Sequence, residues 1–184
     1  RIPSLSLIHR NILLDDNTNY VFVGIRRAGK SYTIYQNITE RIERGENTVQ
    51  EILYINFEDD RLDGFEVCDF QNIIMAYGEL FPLMRPVIYL DEVQIVDGWE
   101  KFVRRLADQD YRVYVTGSNA KMLRREIATT LGGRFVTREI YPFSFLEYLN
   151  YQGVELKENW EYSNQQLVLM RHLFDDYFYY GGFA

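Results

Sequence analysis

The chain has 184 residues, 47% of them hydrophobic and 26% charged, with a net charge of −7 at pH 7. That length supports one α/β domain with a sizeable core, and the acidic balance argues against a broad basic face for nucleic acid while leaving a local one open. The lone cysteine, Cys68, excludes an internal disulfide and fits a reducing, cytoplasmic setting; there is no bilayer-length apolar run and no secretory signal, and a start at Arg1 rather than Met reads as a trimmed or incomplete N-terminus.

Residues 1–19 read as a lead-in, with Ile8, Ile12 and Leu13 forming an amphipathic turn and a half that ends at Asp15-Asp16-Asn17. Tyr20-Val21-Phe22-Val23 predicts a first strand at about 20–24. Gly24-Ile25-Arg26-Arg27-Ala28-Gly29-Lys30-Ser31 follows and has the pattern G-x-x-x-x-G-K-S, the phosphate-binding Walker A loop. Ile34 and Ile38, four apart, predict a helix that stops at Gly45, a C-cap residue. Strand, glycine turn and helix start are the context this motif requires.

Glu51–Phe57 predicts a second, buried strand, and the acidic stretch from Glu58 to Asp63 a loop ending at Gly64. Residues 69–80 carry Phe70, Ile73, Ile74 and Tyr77 on one helical face. Val87–Leu90 predicts a third strand, ending in Asp91-Glu92. Asp97 is placed to cap the next helix, with Trp99, Phe102, Val103 and Leu106. Tyr111–Thr116 is a fourth strand opening into Gly117-Ser118-Asn119, then a helix with Met122, Leu123 and Ile127. Arg134–Ile140 is a fifth strand. Pro142 precedes a short helix with Phe145, Leu146 and Leu149, residues 150–162 are a polar connection, and Ser163 caps an aromatic-rich helix ending at Gly181-Gly182. Apolar strands alternating with amphipathic helices imply a mostly parallel sheet covered on both faces, an α/β fold with its ligand at the carboxyl ends of the strands.

The candidate nucleotide-binding residues are Gly24, Ile25, Arg26, Arg27, Ala28, Gly29, Lys30, Ser31 and Tyr32. The glycines permit backbone shapes that a Cβ blocks, successive N–H groups then line a concavity for phosphate oxygens, and the helix N-terminus adds positive potential. Lys30 is expected on the β- and γ-phosphates, and the Ser31 hydroxyl and Asp91 on Mg²⁺. Glu92 is positioned to polarise the attacking water. For Ser118, a γ-phosphate sensor and an ordinary turn residue both stay open. Ser118-Asn119-Ala120-Lys121 loosely resembles a GTPase base loop, but the chain has no N-K-x-D segment to read guanine, so ATP is preferred to GTP.

Gly24–Ser31, Tyr89-Leu-Asp-Glu-Val-Gln94, Thr116-Gly-Ser118, Leu131-Gly-Gly-Arg134, Tyr141-Pro-Phe-Ser-Phe-Leu-Glu-Tyr148 and Tyr180-Gly-Gly-Phe183 occur in this order. Together they resemble the AAA+ P-loop ATPases of the AAA_14 group, in which the ATPase domain precedes a C-terminal domain of unknown function (DUF4143 type). The resemblance covers nearly the whole chain. It implies a three-layer P-loop sheet with an additional strand, in the order 5-1-4-3-2, with Asp91 on Mg²⁺, Glu92 as catalytic base and Ser118 in a sensor-like place. It also implies an ATPase domain over 1–150, with 151–184 a helical extension leading to a second domain that this chain lacks. Arg134 matches the family's Gly-Arg position and is the candidate arginine for the transition state, supplied by a neighbouring subunit or the second domain; a structural pairing with Glu139 or Glu147 stays open beside it.

Other residues carry weaker signals. His9 and His172 lack metal-ligand partners, and Cys68 lacks an activating base and reads as buried or inert. One of Arg26 and Arg27 either neutralises phosphate or faces solvent. Arg104-Arg105 and Arg124-Arg125 read as solvated faces. Phe174, Tyr177, Phe178, Tyr179 and Tyr180 read as packing against this domain or the missing one. The expected function is Mg²⁺-dependent ATP hydrolysis driving a conformational task. The alternatives are a nucleotide-occupancy switch and a nucleic-acid motor, with a homo-oligomer and a protein or nucleic-acid partner left open and no membrane partner expected.

Overall fold

The computed structural model describes residues 7–118, 130–155 and 159–182. Strands β1 (Asn19–Val23), β2 (Ile52–Asn56), β3 (Val87–Asp91), β4 (Val113–Gly117) and β5 (Phe135–Glu139) form one sheet in the order β2-β3-β4-β1-β5. Each neighbouring pair is parallel. The order 5-1-4-3-2 expected from the sequence is this one read from the other edge.

Side chains alternate across the strands and split the core in two. Val21, Val23, Ile88, Leu90, Val113 and Val115 face α2 (Phe70–Leu80) and α3 (Trp99–Asp108), where Phe70, Trp99, Phe102 and Leu106 are buried. Tyr20, Phe22, Tyr89 and Tyr114 face α1 (Lys30–Glu43), against Ile34 and Ile38. Their rings stack, Tyr89 on Tyr114 at 4.8 Å between centroids. The sheet is therefore the middle of three layers. α1 ends where Gly45, at φ 70°, donates to Ile42 and Glu46 donates to Arg41, the paired closure that a left-handed glycine permits.

Several local expectations are corrected. The lead-in before β1 is extended, not helical: Arg10, Ile12 and Leu14 turn inward while Leu13 is 83% exposed, an alternation of period two. β2 is a half-buried edge strand, and in β5, the other edge, only Phe135 is buried. Asp97 does not cap α3; the cap position is Gly98 at φ 77°, whose left-handed backbone disfavours any side chain. Ile73 and Ile74 are half-buried and Leu146 is exposed, so α2 and α4 (Phe145–Tyr151) bury less of their apolar faces than the spacing suggests. The helix expected around Met122, Leu123 and Ile127, and the pair Arg124-Arg125, lie outside the described residues.

The Ser144 side chain accepts from the Glu147 backbone and so caps α4; the Ser163 hydroxyl does the same for α5 (Asn164–Tyr180) through Gln166. The two helices pack ring to ring, Phe145 on Phe174 and Tyr148 on Tyr177. Tyr177 donates to the Phe143 carbonyl, and the Phe143 amide donates to the Gly182 carbonyl at 2.6 Å. A Cβ at Gly182 would stand 2.0 Å from Phe143 O, so only glycine closes this contact. Phe178, Tyr179 and Tyr180 are exposed.

Candidate active site

The segment Gly24–Gly29 joins β1 to α1 at the carboxyl end of the sheet. Gly24 is buried where the chain leaves β5: Ile140 N–H donates to Val23 O, and a Cβ on Gly24 would stand 2.2 Å from Ile140 O. Arg27 and Gly29 both take left-handed backbone, φ 61° and 91°. Arg27 is thus held in a conformation costly for a residue with a Cβ, the kind of strain that functional loops retain. Gly29 occupies the N-cap of α1 and brings no side chain to its first-turn N–H groups, and no acidic residue lies in that turn. The positive end of the helix thus carries no side-chain cap and no neutralising carboxylate of its own.

Lys30 is only 4% exposed. Its Nζ donates to the Ile25 carbonyl at 3.2 Å and stands 3.3 Å from Glu92 Oε1. Ser31 is half-buried beside it, and Tyr32 is 45% exposed. Arg26 points outward, its side chain 83% exposed and weakly paired with Glu58 at 3.3 Å. Arg27 is exposed. Both fit the solvated of the two readings.

Asp91 closes β3 and is 1% exposed. Its two carboxylate oxygens accept from the hydroxyls of Thr116 and Tyr54. Tyr54 also meets Tyr35 hydroxyl to hydroxyl at 3.0 Å. Burial, and then the Asp91 charge beside it, push the Tyr54 phenol far above its ordinary range, so it stays a donor. Glu92 turns sharply at φ 52°, with its N–H on Thr116 Oγ1 at 2.8 Å. Gln94 Nε2 donates to Glu92 Oε2 at 2.6 Å and to Ser118 Oγ at 3.2 Å. Lys30, Asp91, Glu92 and Ser118 therefore meet in one hydrogen-bonded cluster. Thr116, Tyr54 and Gln94 complete it; Thr116 and Gln94 lie inside the motifs 116–118 and 89–94, which assign them no role, and nothing in the sequence marks Tyr54.

Arg10 was also missed. It is buried, donating from Nη1 to the Ala28 carbonyl at 3.1 Å and from Nε and Nη2 to the carboxylate of Glu147 at 2.7 and 3.3 Å. Its guanidinium lies 5.2 Å from the centre of the Phe143 ring. Gln36 on α1 pins the Arg10 backbone at both N–H and carbonyl. Burial raises the Glu147 carboxyl, but the bonds from Arg10 and Ser144 outweigh it and hold the group below its ordinary value.

Arg134 lies elsewhere. It precedes β5 at the amino end of the sheet, one strand length (about 17 Å) from the loop. Its Nε is paired with Asp108 on α3, not with Glu139 or Glu147. Within one chain it does not join the Lys30 cluster. Cys68 is exposed, which removes the buried alternative and leaves the inert one, and His9 pairs with Glu40 at 2.8 Å.

Comparisons with known proteins bear on the family and the fold. A family model described as an AAA domain, AAA_14, matches residues 16–149. An "uncharacterized protein MJ1544" of Methanocaldococcus jannaschii is 34% identical over 180 residues, 94% of this chain and 37% of that protein. An "uncharacterized protein" of Haemophilus influenzae is 36% identical over 167 residues, 89% of this chain and 38% of its own length. The chain thus spans a little over a third of these relatives. Domain III of the Thermotoga maritima replication initiation protein DnaA superposes with a TM-score of 0.50 at 13% identity, covering 78% of this chain and 65% of that one, a likeness of fold. The family match covers most of the chain and takes in both the loop and Asp91-Glu92: the chain belongs to the AAA_14 family of AAA domains, with the P-loop fold of the AAA+ ATPases.

Proposed function

We propose that this chain binds ATP with Mg²⁺ across Gly24–Tyr32 and hydrolyses its terminal phosphoanhydride. The observation that supports this most is the buried Lys30 ammonium at the uncapped start of α1, 3.3 Å from the Glu92 carboxylate just past the tip of β3, two strands away in the sheet. A lysine kept from water beside unclaimed helix N–H groups fits a phosphate chain. The Ser31 hydroxyl and the Asp91 carboxylate are hard oxygen donors and fit Mg²⁺. When bound, that cation neutralises charge on the phosphate oxygens.

In this reading the loop N–H groups and Lys30 orient the terminal phosphate. Glu92 takes a proton from a water whose oxygen forms the new bond to phosphorus, while the bond to the ADP oxygen breaks and ADP leaves with its electron pair. Ser118 is the polar group beside the terminal phosphate. Arg134, remote within its own chain, serves a neighbouring subunit's site; turnover then rises with protein concentration, and Arg134→Ala abolishes the rise. Fast turnover by a monomer, unaffected by Arg134→Ala, would remove Arg134 from the reaction. The test of the whole reading is Lys30→Ala: most ATP affinity is lost, on the order of 100-fold or more for a desolvated charge-assisted contact, and the fold is kept. A folded Lys30→Ala protein with unchanged ATP affinity overturns it.

A further inference from the structure

The turn after Glu92 brings the side chains of Glu92 and Gln94 together, across a 3-10 turn spanning Val93–Ile95. Glu92 is then held at three points: its N–H by Thr116, Oε1 by Lys30, and Oε2 by Gln94. The Gln94 amide also reaches Ser118. Its orientation is forced, because a flipped amide would set its oxygen against a carboxylate oxygen 2.6 Å away, acceptor on acceptor. The consequence is that Gln94 Oε1 is buried with no hydrogen-bond partner, one of two such side-chain atoms among the described residues. A buried acceptor left unmet is unusual enough to require a reason.

We propose that Gln94 is a positioning residue for the hydrolysis. By holding Glu92 Oε2 and the Ser118 hydroxyl on one amide nitrogen, it leaves Glu92 Oε1 as the oxygen that receives the proton of water once Lys30 turns to phosphate. Its carbonyl, closed off from solvent while Lys30 contacts Glu92, becomes an acceptor for water when that contact opens. The inference rests on the ATPase reading above and adds to it a residue that links the tips of β3 and β4.

The test compares Gln94→Leu in the wild-type and Glu92→Gln backgrounds, in the protein at its natural length, with kcat, KM and the affinity for ATP·Mg²⁺ measured separately. In the wild-type background kcat falls about 10- to 100-fold, the cost of a misplaced reacting group, while KM and nucleotide affinity stay within about threefold. In the Glu92→Gln background the same change lowers turnover less than about threefold, because there is no base left to position. Gln94→Asn, which keeps the amide but withdraws it by one methylene, gives the same split and carries the test if Gln94→Leu fails to fold. Unchanged kcat in a folded variant, or an equal loss in both backgrounds, overturns the proposal. Full turnover in Glu92→Gln alone instead overturns the assignment of Glu92, which separates the two failures.

Discussion

Two cation–carboxylate pairs flank the phosphate-loop segment, one on each side, the inner one buried and the outer one a buried arginine on a half-buried carboxylate, and they are built differently. On the outer side, Arg10 spends Nε, Nη1 and Nη2 on Glu147 and the Ala28 carbonyl, while Glu147 also receives the Ser144 hydroxyl and amide. Nearly every polar atom is met in a planar, bidentate fit, the arrangement that resists change. On the inner side, Lys30 makes one 3.3 Å contact to Glu92 and one to a carbonyl, and Gln94 beside it carries an unmet oxygen. A pointlike ammonium with loose partners can move to a better one at little cost. The difference separates a clamp from the proposed site: both are charged and shielded from bulk water, but only the inner one leaves a polar atom unmet.

The same substitution on the two carboxylates divides them most sharply. Glu92→Gln is expected to lower turnover by about 10²- to 10⁴-fold, the usual worth of a general base, with ATP·Mg²⁺ still bound and the melting temperature nearly unchanged. Glu147→Gln is expected to lower the melting temperature and leave turnover within about threefold. A Glu92→Gln protein that melts much earlier, or turns over normally, would erase the distinction. Next in size, Asp91→Asn should raise the Mg²⁺ concentration needed for half-maximal turnover by about tenfold, the order of effect of a lost charge near a cation; an unchanged requirement would take Asp91 off the metal. Arg10→Met breaks the clamp from its other half. Removing the hydrogen bonds of a buried arginine to a half-buried carboxylate costs about 2 kcal/mol, or roughly 4–8 °C in melting temperature for a chain of this size, read by calorimetry. A loss under about 1 °C would show that Arg10 is no clamp.

Local patterns carried the site's inner half and most of the fold. The glycine loop, the strand ending in Asp91-Glu92 and the alternation of strands and helices each lie within a short window, where period and turn chemistry are readable. The clamp was not readable: Arg10 and Glu147 are 137 positions apart, and nothing in either neighbourhood marks a partner. Tyr54 meets Asp91 only because β2 lies beside β3 in register. The lead-in misled because Ile8, Ile12 and Leu13 suit a helix equally well, and the deciding residue is the inward Arg10, whose burial depends on Glu147. Arg134 was singled out by its match to the family's Gly-Arg position, but its partner Asp108 comes from the end of α3, a packing fact without a sequence period.

The smallest effect sharpens the comparison through pH. Glu147 titrates below the ordinary carboxylate value of 4.5 in the folded protein, burial opposing the shift and the bonds from Arg10 and Ser144 prevailing. A carboxyl with a depressed folded value stabilises the fold above its unfolded value, and that contribution is lost as pH falls through the folded one. The melting-temperature gap between wild type and Glu147→Gln should therefore be constant from neutral pH to just above 4.5, then close as pH falls further. Other acid-sensitive groups cancel in the difference: Asp59, held low by its bonds from Arg61, is common to both proteins. The Arg10→Met gap should close over the same range, since protonated Glu147 no longer needs a cation. A gap that persists undiminished to pH 3 would mean that Arg10 holds the loop by shape and by the Ala28 carbonyl alone, and the contrast between the two pairs would then rest on geometry rather than charge.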